Sequence, residues 1–250
     1  MTKIFPILVF LMITLGSCKK DKRVSLEEEI FDYPNTQSVG YSAYDMLSSS
    51  VYQKIILEIN CYNIYPEQNT LTEIESFLNN NLNKDNIVIK IDSLNSINQN
   101  EISQSDLTSF DASSRTNISM GDQLVINCNY YDANFEQENV LGVAFYNTSI
   151  ALFGKKIESL SSGVLQPPRW QIESTVFLHE LGHLLGLVNV GTQMVTNHQD
   201  EPHGHHCDNE NCLMYWAVET SDVVNGLLET NSIPSLDENC KADLKGNGGK

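Results

Sequence analysis

In HELGHLLGLVN, His179 to Asn189, two histidines stand four residues apart and a glutamate directly follows the first. On an α-helix, positions i and i+4 share a face, so His179 and His183 are able to aim at one ion. The neighbours Val176, Phe177, Leu178, Leu181, Leu184, Leu185 and Leu187 make such a helix apolar nearly all round. A helix of that kind is normally buried. A glutamate and two imidazoles inside it need a partner, and a metal ion supplies one. Zinc takes neutral imidazole readily, and a zinc site that does chemistry needs three protein ligands and one open position. Glu180, beside the first ligand, stands where a general base for water is required. Gly186 lets the chain leave the helix in a left-handed conformation.

The pattern H-E-x-x-H-x-x-G resembles the metzincin class of zinc proteases. That resemblance implies a histidine or aspartate at position 189, but the chain has Asn189, and a neutral amide is a poor zinc ligand. Downstream lies HGHHCDNENCLMYW, His203 to Trp216. Its H-C-x4-C-x-M spacing resembles the archaemetzincin branch, in which the third zinc histidine directly precedes the first cysteine and the methionine forms a turn beneath the metal. The resemblance implies His206 as third ligand, with His205 as the alternative, and Met214 as the Met-turn. The ligand is then displaced by 206 − 189 = 17 residues, and a loop from Val190 to His205 must bulge out and return.

That branch also carries a later C-x-x-C which, with the two earlier cysteines, holds a second, structural zinc. Only Cys240 lies downstream here, so the expectation is one catalytic Zn2+ and a disulfide between Cys207 and Cys212. The HHC-x4-C-L-M-Y-W stretch together with H-E-x-x-H is also similar to an envelope lipoprotein metalloprotease type. Tyr215 is the nearest phenol and the candidate to hydrogen-bond an oxyanion. His198 and His203 read as loop histidines or members of a second metal site, and Asp200 as a carboxylate that orients a ligand imidazole.

The amino-terminal residues fit this placement. Lys3 precedes an apolar run from Ile4 to Leu15, which has the length of a signal-peptide core and is short for a bilayer span. Leu15-Gly16-Ser17-Cys18 resembles the bacterial lipobox, which implies cleavage before Cys18 and lipid on it. Residues 1–17 are then a signal peptide, 18–40 a polar tether with Glu27 to Glu29, and 41–250 the zinc peptidase domain. Removing Lys3 moves the formal charge from −17 to −18. Such acidity excludes nucleic acid as an electrostatic partner. The expected partners are a peptide or protein substrate and, through the lipid, a membrane; no signal for an oligomeric state is present. Beyond Cys18 there are five cysteines, an odd number, so at least one is free, metal-bound or paired between chains.

Elements follow from periodicity. Lys54–Tyr62, Asn86–Ile91, Asp122–Asp132 and Val140–Asn147 read as strands. Thr70 is placed to cap a helix over Leu71–Leu82, and strand, helix, strand implies a parallel crossover. Glu101–Ser113, about Trp170–Leu187 and Pro234–Leu244 read as helices, and Ser149–Ile157 continues the sheet after a bend. The fold class is α/β (α+β), zincin- or metzincin-like: a mixed twisted sheet, an active-site helix and a closing helix after the Met-turn. Leu141–Tyr146 is the candidate edge strand for pairing an extended peptide. The function expected is zinc-dependent peptide hydrolysis at the bacterial envelope. The alternative is a non-catalytic metal-binding or peptide-binding lipoprotein on a degenerate protease scaffold.

Overall fold

The computed structural model describes residues 33–230 and 232–250. The expected signal peptide, Cys18 and most of the tether lie outside the described residues. The elements, in chain order, are α1 (Ala43–Leu47), β1 (Lys54–Tyr62), α2 (Gln68–Asn81), β2 (Asn86–Leu94), β3 (Glu101–Ile102), α3 (Gln104–Ser114) and β4 (Gln123–Tyr131). There follow β5 (Asn134–Phe135), β6 (Gly142–Tyr146), β7 (Ser149–Phe153), α4 (Gly154–Ser161), α5 (Arg169–Leu184), α6 (Val223–Thr230) and α7 (Glu238–Gly246). Two short 3-10 turns cover Glu201–His203 and Trp216–Glu219.

The main sheet has the order β2-β1-β4-β7-β6, parallel except for β6, which pairs antiparallel with β7. This is the mixed α/β architecture expected, with the α2 crossover joining parallel β1 and β2. Side chains alternate along a strand, so each strand serves two faces. On one face Ile55, Leu57, Ile59 and Cys61 of β1 join Leu124, Ile126, Cys128 and Tyr130 of β4 in the core beneath α2 and α5. The other face carries Glu58, Asn60, Asn127 and Asn129, all buried. α3 meets part of that polarity. Asn60 Nδ2 donates to Asn127 Oδ1 (2.7 Å), Asn127 Nδ2 donates to Asp111 Oδ1 (2.8 Å), and Arg115 closes on Asp111 at 3.0 Å. Asn129, on the same face, makes no side-chain hydrogen bond among the described residues.

Several boundaries differ from the sequence reading. α3 begins at Gln104, not at Glu101, and is started by Ser103 through a capping box with Asp106. Thr70 is not a cap: it lies inside α2, which begins at Gln68, and its hydroxyl donates to Glu173 at 2.6 Å. Only Ser149–Phe153 of the Ser149–Ile157 segment is strand, and the chain then turns into α4. Residues 33–40, expected as the end of the tether, are docked on the domain. Tyr33 is buried and donates to Ser42 Oγ at 2.6 Å, while Asn147 Nδ2 donates to the Pro34 carbonyl and Asn147 Oδ1 accepts from the Gln37 amide. The folded part therefore includes Tyr33, not only residues from Tyr41 onward.

α5 crosses the sheet with every residue from Gln171 to Leu184 buried. Its start is fixed by Glu173, which accepts from Arg169 (2.8 Å), Thr70 Oγ1 (2.6 Å), the Glu67 amide (2.8 Å) and the Tyr130 hydroxyl. That anchoring ties α5 to α2 and β4 and sets where its histidines fall. Its end is the glycine turn: Gly186 has φ +82, and the Leu187 amide returns to the Gly182 carbonyl at 3.1 Å.

Candidate metal centre

α5 places His179 and His183 one turn apart on a single face, and their Nε2 atoms lie 3.1 Å from each other. Two nitrogens at about 2.0–2.1 Å from a tetrahedral zinc are roughly 3.3 Å apart, so this separation suits a shared ion. The tautomers agree. His179 Nδ1 lies 2.7 Å from the Leu213 carbonyl, which only accepts, so Nδ1 carries the proton and Nε2 presents a lone pair. His206 Nδ1 is fixed in the same way by the His203 carbonyl at 2.7 Å.

The chain delivers His206 by an antiparallel return. Gln199 bridges Cys207, the Asp200 amide donates to the His206 carbonyl (2.7 Å), and the Asp208 amide donates to the His198 carbonyl (2.9 Å). The three imidazole rings then form a triangle with centroids 4.7, 5.3 and 5.1 Å apart. Asn189 is turned away: it is exposed, with φ +63, and its amide reaches Gln199 Oε1 at 3.3 Å. His205 is exposed and directs Nδ1 to the Val188 carbonyl at 3.3 Å. Of the two adjacent histidines, His206 is the one brought to His179 and His183.

A fourth group went unnoticed in the sequence. Glu219, at the end of the 3-10 turn, places Oε2 3.6 Å from His206 Nε2 and 3.9 Å from His179 Nε2. Donor atoms of His179, His183, His206 and Glu219 all lie within 4.8 Å of one another. A single glutamate after an apolar run carries no periodicity or spacing that marks it.

Burial governs the protonation of the site. It pushes His179 down to about 4, and it drives His183 well below the ordinary histidine value with help from its imidazole neighbours. Both are therefore neutral near pH 7, the form that binds metal. Burial also lowers His206, but contact with Glu219 and the His203 carbonyl outweighs it and leaves the group raised. Glu180 is 1% exposed, and burial followed by repulsion from Glu219 raises it well above the usual carboxylate range. Neither of its oxygens, nor His206 Nε2, makes a well-formed hydrogen bond among the described residues. A buried carboxylate without a donor is costly, and a nearby cation or water relieves that cost. The donor set fits a divalent zinc.

Met214 lies under the helix. A β-carbon at Gly182 would stand 2.3 Å from Met214 Sδ, so glycine alone lets the turn approach α5 so closely. Tyr215 is half-buried beside Trp216 and lines a cavity of about 520 Å³ with Val218 and Leu227. Asp200 orients His203, not a ligand imidazole: Oδ2 accepts from His203 Nδ1 at 2.6 Å, and the His203 ring stacks on Trp216 at 4.4 Å.

The cysteines depart from expectation. Cys207 and Cys212 are free thiols, not a disulfide, as are Cys61, Cys128 and Cys240. α7 brings Cys240 Sγ to 3.6 Å from Cys212 Sγ, and His198 Nδ1 stands 3.4 Å from Cys207 Sγ. Donor atoms of His198, Cys207, Cys240 and Asp237 lie within 4.8 Å of one another. Asp243 accepts from His198 Nε2 at 2.9 Å, which leaves Nδ1 with its lone pair toward the thiols. Hydrogen bonds from Cys207 and Cys240, with the Met214 and Asp237 amides, lower the Cys212 thiol below the ordinary cysteine value. His198 is thus no loop histidine but a buried member of a sulfur-rich cluster.

No protein-family model matches the chain, and no curated protein sequence matches it. Among solved structures, the crystal structure of archaemetzincin from Methanopyrus kandleri superposes with a TM-score of 0.50 at 13% identity, covering 78% of this chain and 96% of that one. At that identity the likeness is one of fold, and the chain has the fold of an archaemetzincin.

Proposed function

We propose that this protein is a zinc-dependent peptidase in which Glu180 is the general base. One observation carries the reading: three imidazole nitrogens converge beside a buried, unpartnered carboxylate, and an edge strand passes alongside. When bound by His179, His183 and His206, zinc supplies a Lewis acid for the scissile carbonyl and lowers the pKa of a water. Glu180 holds the attacking water, takes its proton and passes it to the leaving amine. β6 lies at the sheet edge, and a β-carbon at its Gly142 would fall 3.1 Å from Glu180 Oε1. An extended peptide added to β6 therefore runs past the base, with backbone pairing giving affinity at little sequence cost.

The reading includes a second, structural zinc on Cys207, Cys212, Cys240 and His198. Three thiols and an imidazole with a fixed tautomer are a closed structural donor set. Here the insertion contributes a ligand of its own, His198. A metal store without catalysis fits less well, since it gives no role to a buried carboxylate next to a ligand. The envelope placement, through lipid on Cys18, is supported by the Leu15–Cys18 motif. Among the described residues no helix is long and apolar enough to cross a membrane.

The test is cleavage of a mixed peptide library. Cleavage is expected with the zinc-loaded chain, to vanish on chelation and to return with added zinc. No cleavage by the fully zinc-loaded chain contradicts the proposal.

A further inference from the structure

Resting on the peptidase reading, we propose that Glu219 is a fourth protein ligand of the catalytic metal, so that the resting centre is closed by protein and opens when an incoming group displaces this carboxylate. The geometry is the first support. Glu219 Oε2 stands 3.6 and 3.9 Å from two of the imidazole nitrogens and within 4.8 Å of the third. Adjacent ligands on one tetrahedral zinc are separated by roughly 3.3 Å, so a small shift brings the oxygen into the shell. Chemistry is the second: a carboxylate is an ordinary zinc ligand beside imidazole.

Exposure separates Glu219 from the histidines. His179, His183 and His206 are 0%, 8% and 8% exposed, whereas the Glu219 side chain is 33% exposed. The three imidazoles are built in, and the carboxylate is the member that solvent or substrate reaches. Its backbone is tied to the lead into β6. The Leu141 amide donates to the Glu219 carbonyl at 3.0 Å, Thr220 bridges Val140, and the Ser221 amide donates to the Asn139 carbonyl at 3.1 Å. A peptide pairing with β6 therefore docks directly beside the segment that carries Glu219. Substrate binding and release of the carboxylate are coupled through that shared edge.

The experiment compares the chain with its isosteric Glu219→Gln variant, both loaded with cobalt. Cobalt at the thiolate cluster is told apart by its sulfur-to-metal absorption. Two quantities are read at the histidine site: metal affinity, by chelator competition, and binding of acetohydroxamate, by the change in the cobalt bands. Loss of a direct ligand is expected to weaken the metal by at least about 10–100-fold, the cost seen even for outer partners of ligands. Acetohydroxamate is expected to bind at least about tenfold more tightly to the variant, because no carboxylate must leave, a difference of about 1.4 kcal/mol. Unchanged acetohydroxamate affinity, or tighter acetohydroxamate with unchanged metal affinity, overturns the proposal while the peptidase reading stands. A wild-type chain that binds no metal at the histidines defeats both. Should Glu219→Gln not fold, Glu219→Asp shortens the reach and is expected to move both quantities in the same directions.

Discussion

Glu180→Gln is expected to keep its full metal content and to lower kcat/KM for peptide hydrolysis about 10²–10⁴-fold, the range that a general base contributes. The residue is buried, at the site's edge strand, and neither of its oxygens makes a well-formed hydrogen bond among the described residues. Glutamine fills the same volume and cannot accept the proton of water. His179 and His206 do not depend on Glu180 for their tautomers, which the Leu213 and His203 carbonyls hold. Metal binding and catalysis are therefore separable by this one change. Stability is not expected to fall, because glutamine conserves the volume of the buried side chain. Steady-state kinetics beside metal analysis and a urea melt check all three statements. Hydrolysis at the wild-type rate removes Glu180 from the role of base.

The second large effect concerns the sulfur cluster. Cys240→Ala is expected to lose one metal ion per chain while the histidine-bound ion remains. The cluster joins four distant pieces: the insertion through His198, the strand return through Cys207, the Met-turn through Cys212 and α7 through Cys240. Structural zinc supplies about 10–16 kcal/mol in small zinc domains. Even a third of that, lost from a chain of this size, lowers Tm by roughly 10 °C. Met214, which Gly182 admits beneath α5, shares this scaffold: its carbonyl accepts from the Cys207 amide at 2.8 Å. Thiol counting is the check. In the native chain Cys207, Cys212 and Cys240 are expected to resist alkylation and to react once a chelator is added. A Cys207–Cys212 disulfide in the purified chain contradicts this.

The sequence carried the main parts of this site because they are local. The four-residue spacing of His179 and His183, the surrounding leucines and the glycine turn at Gly186 are helix rules, and α5 obeys them. The strands over Lys54–Tyr62 and Asp122–Asp132 were legible because β-branched and aromatic residues mark them, and the structure differs there by one residue at most. What escaped is long-range. Glu219 meets the histidines only because the turn after Trp216 is pinned to the lead into β6. His198 reads as a polar loop residue until Asp243, 45 positions later, is found bonded to its ring. The disulfide expectation followed the redox compartment and the short Cys207–Cys212 spacing. It missed that α7 brings a third thiol against the pair. The polar stretch before Tyr41 looked like tether because its docking uses Tyr33 and the Asn147 amide, with no apolar run to announce it.

The most direct measurement is zinc per chain in the wild-type protein and in His206→Ala, side by side. The wild-type chain is expected to hold two ions, one at the histidines and one at the cysteines. His206→Ala is expected to hold one, because two histidines on α5 without the third leave the catalytic ion weakly bound. Equal zinc in the two proteins would contradict a catalytic centre completed across the insertion by His206.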